Sequence, residues 1–176
     1  MGKRPAGRGV EHRIEIAAPV SAVWRVIADL DHWGAWNPLY IAAKGTPIVG
    51  EPFAMTIALE GMKPQKAQAR IVSAEPEALL EYGITNLGGL VKAFRYIDLR
   101  ALDSGRCEIA NGEIMSGLVG NLLARVIGEK VRRGLQGMNE ALKAKLEADP
   151  RPIPHARRDR PIESKAQDGD EAVGTV

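Results

Sequence analysis

The stretch IAAPVSAVWRVIADLDHWGAWNP, residues 16–38, decides the fold of this chain. It contains all three tryptophans of the 176 residues, within the segment from Trp24 to Trp36. Pro19 favours the first turn of a helix, where its missing N–H costs nothing. The apolar residues that follow recur at helical spacing, which predicts a helix with one buried side, Trp24 included. They are Val20, Val23, Trp24, Ile27 and Leu30.

Short elements flank this predicted helix on both sides. HRIEI, residues 12–16, alternates between polar and apolar side chains, which is typical of a strand. After the helix, residues 31–36 predict a second, shorter helix. It must end at Asn37, because Pro38 disfavours helical geometry in the residue that precedes it.

The middle of the chain has the pattern of β-strands. FAMTIALE, residues 53–60, alternates strictly, and four further strand-length segments are separated by turn signals. These are QKAQARIVSAE, ALLEYGIT, LVKAFRYIDLRAL and RCEIANGEIMSG. Turns this short leave no room for crossover helices, so we expect an antiparallel meander.

The period changes to that of a helix after Ser116. An apolar stripe at roughly 3.6-residue spacing predicts one long amphipathic helix. The stripe consists of Leu118, Leu122, Val126, Val131, Leu135, Met138, Leu142 and Leu146. Four glycines interrupt the helix, each at a cost of about 1 kcal/mol relative to alanine. Gly120, Gly128, Gly134 and Gly137 therefore indicate either close packing on the sheet or space beside the helix.

Composition and termini predict one ordinary domain. We expect residues 1–10 to be disordered, residues 11–149 to form the domain, and the proline-rich residues 150–176 to be a disordered tail. The net charge of +2 gives no support for nucleic-acid binding. The lone Cys107 excludes an intrachain disulfide, and no signal peptide or membrane-spanning segment is recognisable, so the sequence predicts a cytoplasmic protein.

The order of elements is that of an α+β protein. A strand, two short helices, a curved antiparallel sheet and a long C-terminal helix bury both the sheet face and the helix stripe only if the sheet wraps around the helix. A curved sheet and a straight helix do not fill the space between them. We therefore expect a cavity there.

One block of residues resembles a known superfamily. Ala-Pro precedes the first helix, Val-Trp lies inside it, and the pattern Asp-X-X-X-Trp-X-X-Trp-Asn-Pro follows it, from Asp29 to Pro38. Together with the glycine-bounded GTPIVGEPF from Gly45 to Phe53, this is similar to the START/birch-pollen-allergen/polyketide cyclase (SRPBCC) superfamily, and most of all to its bacterial polyketide cyclase/dehydrase-like branch. The resemblance implies a helix-grip fold around a hydrophobic cavity, in members that serve as lipid carriers, hormone receptors, cyclases or co-chaperones.

Several residues are candidates to line that cavity. Trp33 and Trp36 lie on one side of the short helix and either pack on the sheet or line the cavity mouth. Asn37 either ends the helix or donates a hydrogen bond to a ligand. The candidates from the sheet and the long helix are Met55, Tyr82, Phe94, Tyr96, Glu113, Met115, Leu122 and Val126.

Glu113 is the one candidate for acid–base chemistry. Burial would favour its protonated form and let it act as a general acid or base. The alternative is a carboxylate that is solvated or paired with Arg70 or Arg95. No nucleophile elbow, metal-spaced His/Cys pair or phosphate loop occurs, so the sequence predicts no metal and no cofactor.

These patterns favour a binder of a small hydrophobic molecule, such as a polyketide, a lipid or a quinone. Cyclase- or dehydratase-like chemistry, without a metal or a covalent nucleophile, stays open. The alternatives are a non-catalytic lipid or quinone carrier and a protein-interaction module.

Overall fold

The computed structural model describes residues 4–86, 91–117 and 120–148. In these residues two α-helices and seven strands follow one another, with a 3₁₀ helix at Leu30–Ala35, and six of the strands were predicted in this order. They are β1 (Arg8–Ile16), α1 (Val20–Ala28), β2 (Tyr40–Lys44), β3 (Pro52–Ile57), β4 (Gln65–Glu75), β5 (Leu79–Asn86), β6 (Val91–Ala101), β7 (Cys107–Ser116) and α2 (Gly120–Glu147).

The strands form one curved antiparallel sheet in the order β1-β7-β6-β5-β4-β3-β2. Strands β2 to β7 are a meander, and β1 returns to pair with β7, so that Ile14 lies opposite Ile109. Helix α2 packs against the concave face, chiefly on β1 and β7. The predicted α+β helix-grip architecture is confirmed.

The buried face of α2 differs from the predicted stripe in its first half. Val131, Leu135, Met138 and Leu142 are buried as expected, whereas Leu122 and Val126 are 61% and 69% exposed. Their neighbours Leu123 and Ile127 face the sheet instead. The predicted stripe stepped five residues from Val126 to Val131, which turns about 140° around a helix, whereas steps of four stay on one side.

The N-terminal segment is more structured than predicted. Strand β1 begins at Arg8, so residues 8–10 belong to the sheet and not to a disordered arm. Further out, the Arg4 guanidinium lies 3.7 Å from the centroid of the Tyr96 ring and 3.0 Å from the Glu81 carboxylate. These contacts place Arg4 on the convex face of the sheet. Residues 1–3 and the predicted tail lie outside the described residues.

Strand β2 was not predicted from the sequence. Its residues, YIAAK, include two adjacent alanines and lack the alternation that marked the other strands. It forms the edge of the sheet and pairs only with β3, where Ala43 lies opposite Met55. The glycine-bounded stretch that follows it is the connection between these two strands.

Candidate ligand-binding site

An apolar cavity of about 320 Å³ lies between the sheet and the first half of α2. Strands β2–β7, the loop that follows β3, and α2 contribute its walls. The apolar lining includes Leu39, Ile57, Leu59, Ile84, Ala93, Met115, Leu123, Ile127 and Val131. Pockets of this size and character are typical of small-molecule sites.

The loop between β3 and β4 forms one rim of the cavity. It is held against α2 by Lys130, whose Nζ donates to the Glu60 carbonyl at 2.7 Å, and by an ion pair between Arg133 and Glu60 at 3.1 Å. Met62 of this loop lines the cavity and is itself 42% exposed. The cavity therefore reaches solvent beside the loop.

A buried ion pair closes the inner end of the cavity. Arg95 on β6 is fully buried, and it lies directly opposite Glu113 on β7 in the sheet register. Its Nη1 donates to Glu113 Oε2 at 3.2 Å and its Nη2 donates to Asn111 Oδ1 at 2.9 Å. Its Nε is buried and has no partner among the described residues. Arg95 also lines the cavity, so this orphaned donor lies beside the space that a ligand could occupy.

The environment keeps Arg95 charged. Burial alone would lower its pKa, but the oxygens of Tyr40, Tyr82 and Glu113 favour the cation and leave the pKa raised overall. A guanidinium is protonated at any physiological pH. The inner wall thus presents a permanent positive charge that is partly compensated by Glu113.

Two phenols lie beside this guanidinium. Tyr82 OH donates to Tyr40 OH at 3.0 Å, and the Arg95 guanidinium is 5.4 Å from the Tyr40 ring centroid. Desolvation raises the pKa of both tyrosines, so both stay neutral. Each hydroxyl can donate or accept, because its hydrogen rotates. Tyr40 also lines the cavity, so its hydroxyl adds a second polar group to the inner wall.

Asn37 positions Tyr40 instead of reaching the cavity. Its Oδ1 accepts the backbone N–H groups of Leu39 and Tyr40 at 3.0 and 3.1 Å. The side chain is buried and its Nδ2 has no partner among the described residues. The residue before Pro38 therefore organises the turn into β2, which agrees with the helix-ending alternative.

The tryptophans contribute to the packing of the core and its edge. Trp33 is fully buried and its Nε1 donates to the Ile27 carbonyl at 3.0 Å. Its ring lies 5.2 Å from that of Tyr40 and 6.3 Å from those of Phe53 and Tyr82. Trp24 and Trp36 are only partly buried at the edge of the core. The most deeply buried tryptophan is thus on the 3₁₀ helix, whereas Trp24, predicted to lie on the buried side of α1, is only partly buried.

The other predicted site residues divide between three places. Glu113 and Met115 line the cavity, whereas Met55 and Tyr82 are buried in the core next to it. Leu122 and Val126 point to solvent. Sequence spacing alone therefore brought two of the eight sheet and helix candidates to the cavity wall.

Phe94 and Tyr96 lie on the opposite face of the sheet. On β6 the cavity side carries Ala93 and Arg95, so the residues between and after them point outward. Tyr96 packs over Gly112, where a β-carbon would come within 2.1 Å of its ring, and its OH donates to Glu11 at 2.7 Å. From the sequence, the aromatic residues of this strand were predicted on the inner face. The inner face carries an arginine instead, and burial of an arginine is unusual.

The described residues contain no group of three His, Cys, Asp or Glu side chains that could hold a metal ion. Among the same residues, no helix is both long enough and apolar enough to cross a bilayer.

Comparison with known proteins identifies the family. The profile of the family "Polyketide cyclase / dehydrase and lipid transport" matches residues 8–147, which include every helix and strand. The chain belongs to this family. No match to a curated protein was found.

Solved structures similar to this family member share its fold. They include the di-domain ARO/CYC BexL from the BE-7585A biosynthetic pathway, with 16% identity and a TM-score of 0.64 over 81% of this chain and 48% of BexL. The chain thus spans about half of that protein.

Two others are norcoclaurine synthase from Thalictrum flavum, in complex with dopamine and hydroxybenzaldehyde, and the ZhuI aromatase/cyclase from Streptomyces sp. R1128. Each is 18% identical over 80% of this chain, covering 87% and 97% of those proteins, with TM-scores of 0.62 and 0.60. At these identities the likeness establishes the fold alone.

Proposed function

We propose that this protein binds a small apolar molecule carrying an oxygen acceptor, such as a ketone or quinone carbonyl, in the cavity between the sheet and α2. The observation that supports this is the orphaned Nε of Arg95 at the inner end of a largely apolar space of about 320 Å³. A carbonyl oxygen there would restore the missing hydrogen bond. The apolar remainder of the molecule would bury against Leu123 and Ile127.

The first experiment asks whether the cavity binds at all. α2 offers a matched pair of neighbours, since Ile127 lines the cavity and Val126 is exposed. Binding of an environment-sensitive dye such as ANS should be saturable in the wild type. Ile127→Trp fills the cavity and should weaken binding at least about tenfold, whereas Val126→Trp should not. Equal binding by both folded variants would contradict the cavity as the site.

The second experiment tests whether the cavity prefers a ligand that carries a carbonyl oxygen. Tetralin and 1-tetralone share a bicyclic skeleton and differ mainly by one carbonyl. We expect tetralone to bind about tenfold more tightly, equivalent to roughly 1.4 kcal/mol for hydrogen bonds to a charged donor. Tyr40→Phe removes one hydroxyl from the inner wall and should reduce this preference. If calorimetry shows that the wild type binds the two probes with equal affinity, the proposed recognition of a carbonyl is wrong.

Cyclase- or dehydratase-like chemistry is a second candidate, and the position of Glu113 supports it. Its carboxylate lies on the cavity wall next to Arg95, at 3.2 Å. A base there would take a proton from the carbon beside a bound carbonyl. The C–H electron pair would move into the enolate, whose oxygen the guanidinium would stabilise. This step needs no metal and no covalent nucleophile.

Exchange of the C2 hydrogens of 1-tetralone for deuterium in D₂O measures that step directly by NMR. We expect the protein to accelerate the exchange, and Glu113→Gln to abolish the acceleration while tetralone still binds. Binding without accelerated exchange would favour the alternative of a non-catalytic carrier. If none of the probes binds, a protein-interaction module is the remaining alternative.

A further inference from the structure

A chain of buried polar side chains runs from Arg95, across the concave face, to strand β1. Arg95 Nη2 donates to Asn111 Oδ1 at 2.9 Å, and Asn111 Nδ2 donates to Asn139 Oδ1 at 3.0 Å. Asn139 Nδ2 lies 3.0 Å from His12 Nδ1 and 3.1 Å from the His12 carbonyl. The arginine and both asparagines are at most 1% exposed.

Four elements, β1, β6, β7 and α2, bring these residues together. His12 on β1 lies opposite Asn111 on β7, and Ile97 of β6 follows in the same row of the register. Asn139 reaches this row from α2. Each side chain therefore projects into the same buried layer, which a polar residue enters only if its hydrogen bonds are satisfied.

The groups at both ends of this hydrogen-bonded chain, Arg95 and His12, require the same donor-to-acceptor direction along it. A guanidinium has only donors, so Asn111 must turn its oxygen toward Arg95 and its NH₂ toward Asn139. At the far end the His12 carbonyl can only accept, so Asn139 must turn its NH₂ toward His12. His12 Nδ1 is then an acceptor, which corresponds to a neutral ring with its proton on Nε2.

We propose that Asn111, Asn139 and His12 are positioning residues that fix the orientation of the Arg95 guanidinium at the cavity. Glu113 holds Nη1 and Asn111 holds Nη2, so the plane of the group is set from both sides, and Nε is the guanidinium nitrogen without a partner among the described residues. The consequence for ligand binding rests on the proposed function. The direction of the hydrogen bonds from Arg95 to His12 is independent of that function.

The direction is tested without any ligand. Long-range ¹H–¹⁵N spectra of the histidine rings should show His12 with an unprotonated Nδ1. In Asn111→Asp the new carboxylate accepts from both Arg95 and Asn139, so the Asn139 amide turns and its oxygen comes to lie beside both the His12 carbonyl and His12 Nδ1. Only a proton on Nδ1 offsets the repulsion between the two oxygens. His12 Nδ1 should then carry a proton. Exposed His32, which contacts Asp29 at 2.8 Å, is the control in the same spectrum and should not change.

A second variant keeps this test decisive if Asn111→Asp does not fold. Asn139→Asp places a carboxylate beside His12 and leaves the bond between Arg95 and Asn111 in place. It should also move the proton to His12 Nδ1. A wild-type His12 that already carries its proton on Nδ1, or an unchanged ring in both variants, would overturn the chain.

The positioning role is tested at the cavity. His12→Leu removes the acceptor at the far end, whereas His12→Asn keeps one at a similar reach. We expect His12→Leu to reduce the preference for tetralone over tetralin at least about threefold, with tetralin affinity unchanged, and His12→Asn to restore it. The Nε–H signal of Arg95 should shift in the first variant and return in the second.

A purely structural role predicts a different pattern. If His12→Leu weakens tetralin and tetralone equally, or leaves the Arg95 Nε–H signal unchanged, the positioning role is wrong. If neither probe binds the wild type, the proposed function fails, while the His12 and Arg95 signals still decide whether the chain orients the guanidinium.

Discussion

The two ends of the space between the sheet and α2 are built from the same strands but filled differently. At the end nearer α1, which we call the packed half, Ile97 and Ile109 meet Leu135 and Leu142, all at most 1% exposed. At the other end, the open half, the corresponding positions border the cavity. One of them on β6 is Ala93.

The comparison shows how one fold combines a core with a binding site. Strand β6 changes from Ala93 to Arg95 to Ile97 along its inner face, and so passes from cavity to polar boundary to core. Ala93 is the one small side chain among the sheet residues that border the open half, whereas protein interiors are otherwise packed to near crystal density. Arg95, Asn111 and Asn139 mark the boundary between the halves.

The largest effect should come from the boundary itself. Arg95→Met removes the cation and leaves the Glu113 carboxylate and the Asn111 oxygen without their donor. We expect a loss of about 3–5 kcal/mol in the free energy of unfolding, measured by urea denaturation. Combining it with Glu113→Gln should recover part of that loss. A single variant within about 1 kcal/mol of the wild type would mean that the pair is not the buried boundary described here.

Next in size is a comparison of two residues on α2. Leu135 is fully buried in the packed half, whereas Ile127 is partly buried beside the cavity. Leu135→Ala should cost about 3 kcal/mol, because it opens a new void. Ile127→Ala only enlarges an existing space and should cost about 1 kcal/mol. Equal urea midpoints for the two variants would remove the distinction between the halves.

The packed half should also show a pH effect. Cys107 is fully buried there, and desolvation raises the pKa of its thiol to about 11 from the ordinary value of 9.0. The unfolded chain releases this proton first, so the free energy of unfolding should fall by about 2 kcal/mol as the pH rises from 9 to 11. Cys107→Ala should lack this part of the pH dependence. Parallel curves for both proteins would show that the thiol is hydrated in the folded state.

The smallest effect concerns two glycines of α2. A β-carbon at Gly128 would lie 3.8 Å from Val10, an ordinary contact, whereas one at Gly134 would lie 2.8 Å from Leu39. Gly128→Ala should therefore raise the free energy of unfolding by about 0.5–1 kcal/mol, as expected for alanine in a helix. Gly134→Ala should gain nothing or lose stability. The opposite order in thermal melts would show that α2 is rotated differently on the sheet.

Local patterns were sufficient to predict most of the fold. Segment length and turn signals located β4 at residues 65–75, and the change to helical spacing located α2. Strand β2 was missed because its two alanines carry no alternating pattern. The structure of β1 at residues 8–10 depends on its pairing with β7, which no local pattern in a Gly- and Arg-rich segment reveals.

The candidate site was harder to predict because it depends on which face of each strand and of the helix is turned inward. Alternation says that neighbours on β6 face opposite sides, but not which side faces the helix, and a one-residue change exchanges Phe94 for Arg95. Similarly, a small error in tracing the helix face exchanged Val126 for Ile127. For Glu113 the structure shows the ion pair with Arg95, which the sequence left open as an alternative to a carboxyl group free for acid–base chemistry.

The contacts of Arg4 have a practical consequence for experiments with this protein. They hold the start of the described chain on the convex face, across the sheet from the cavity. A fluorophore or surface tether joined to the N-terminus would therefore approach from behind the sheet and leave the rim at Met62 unobstructed. Immobilisation by this end suits sensor measurements in which candidate molecules flow past the open cavity.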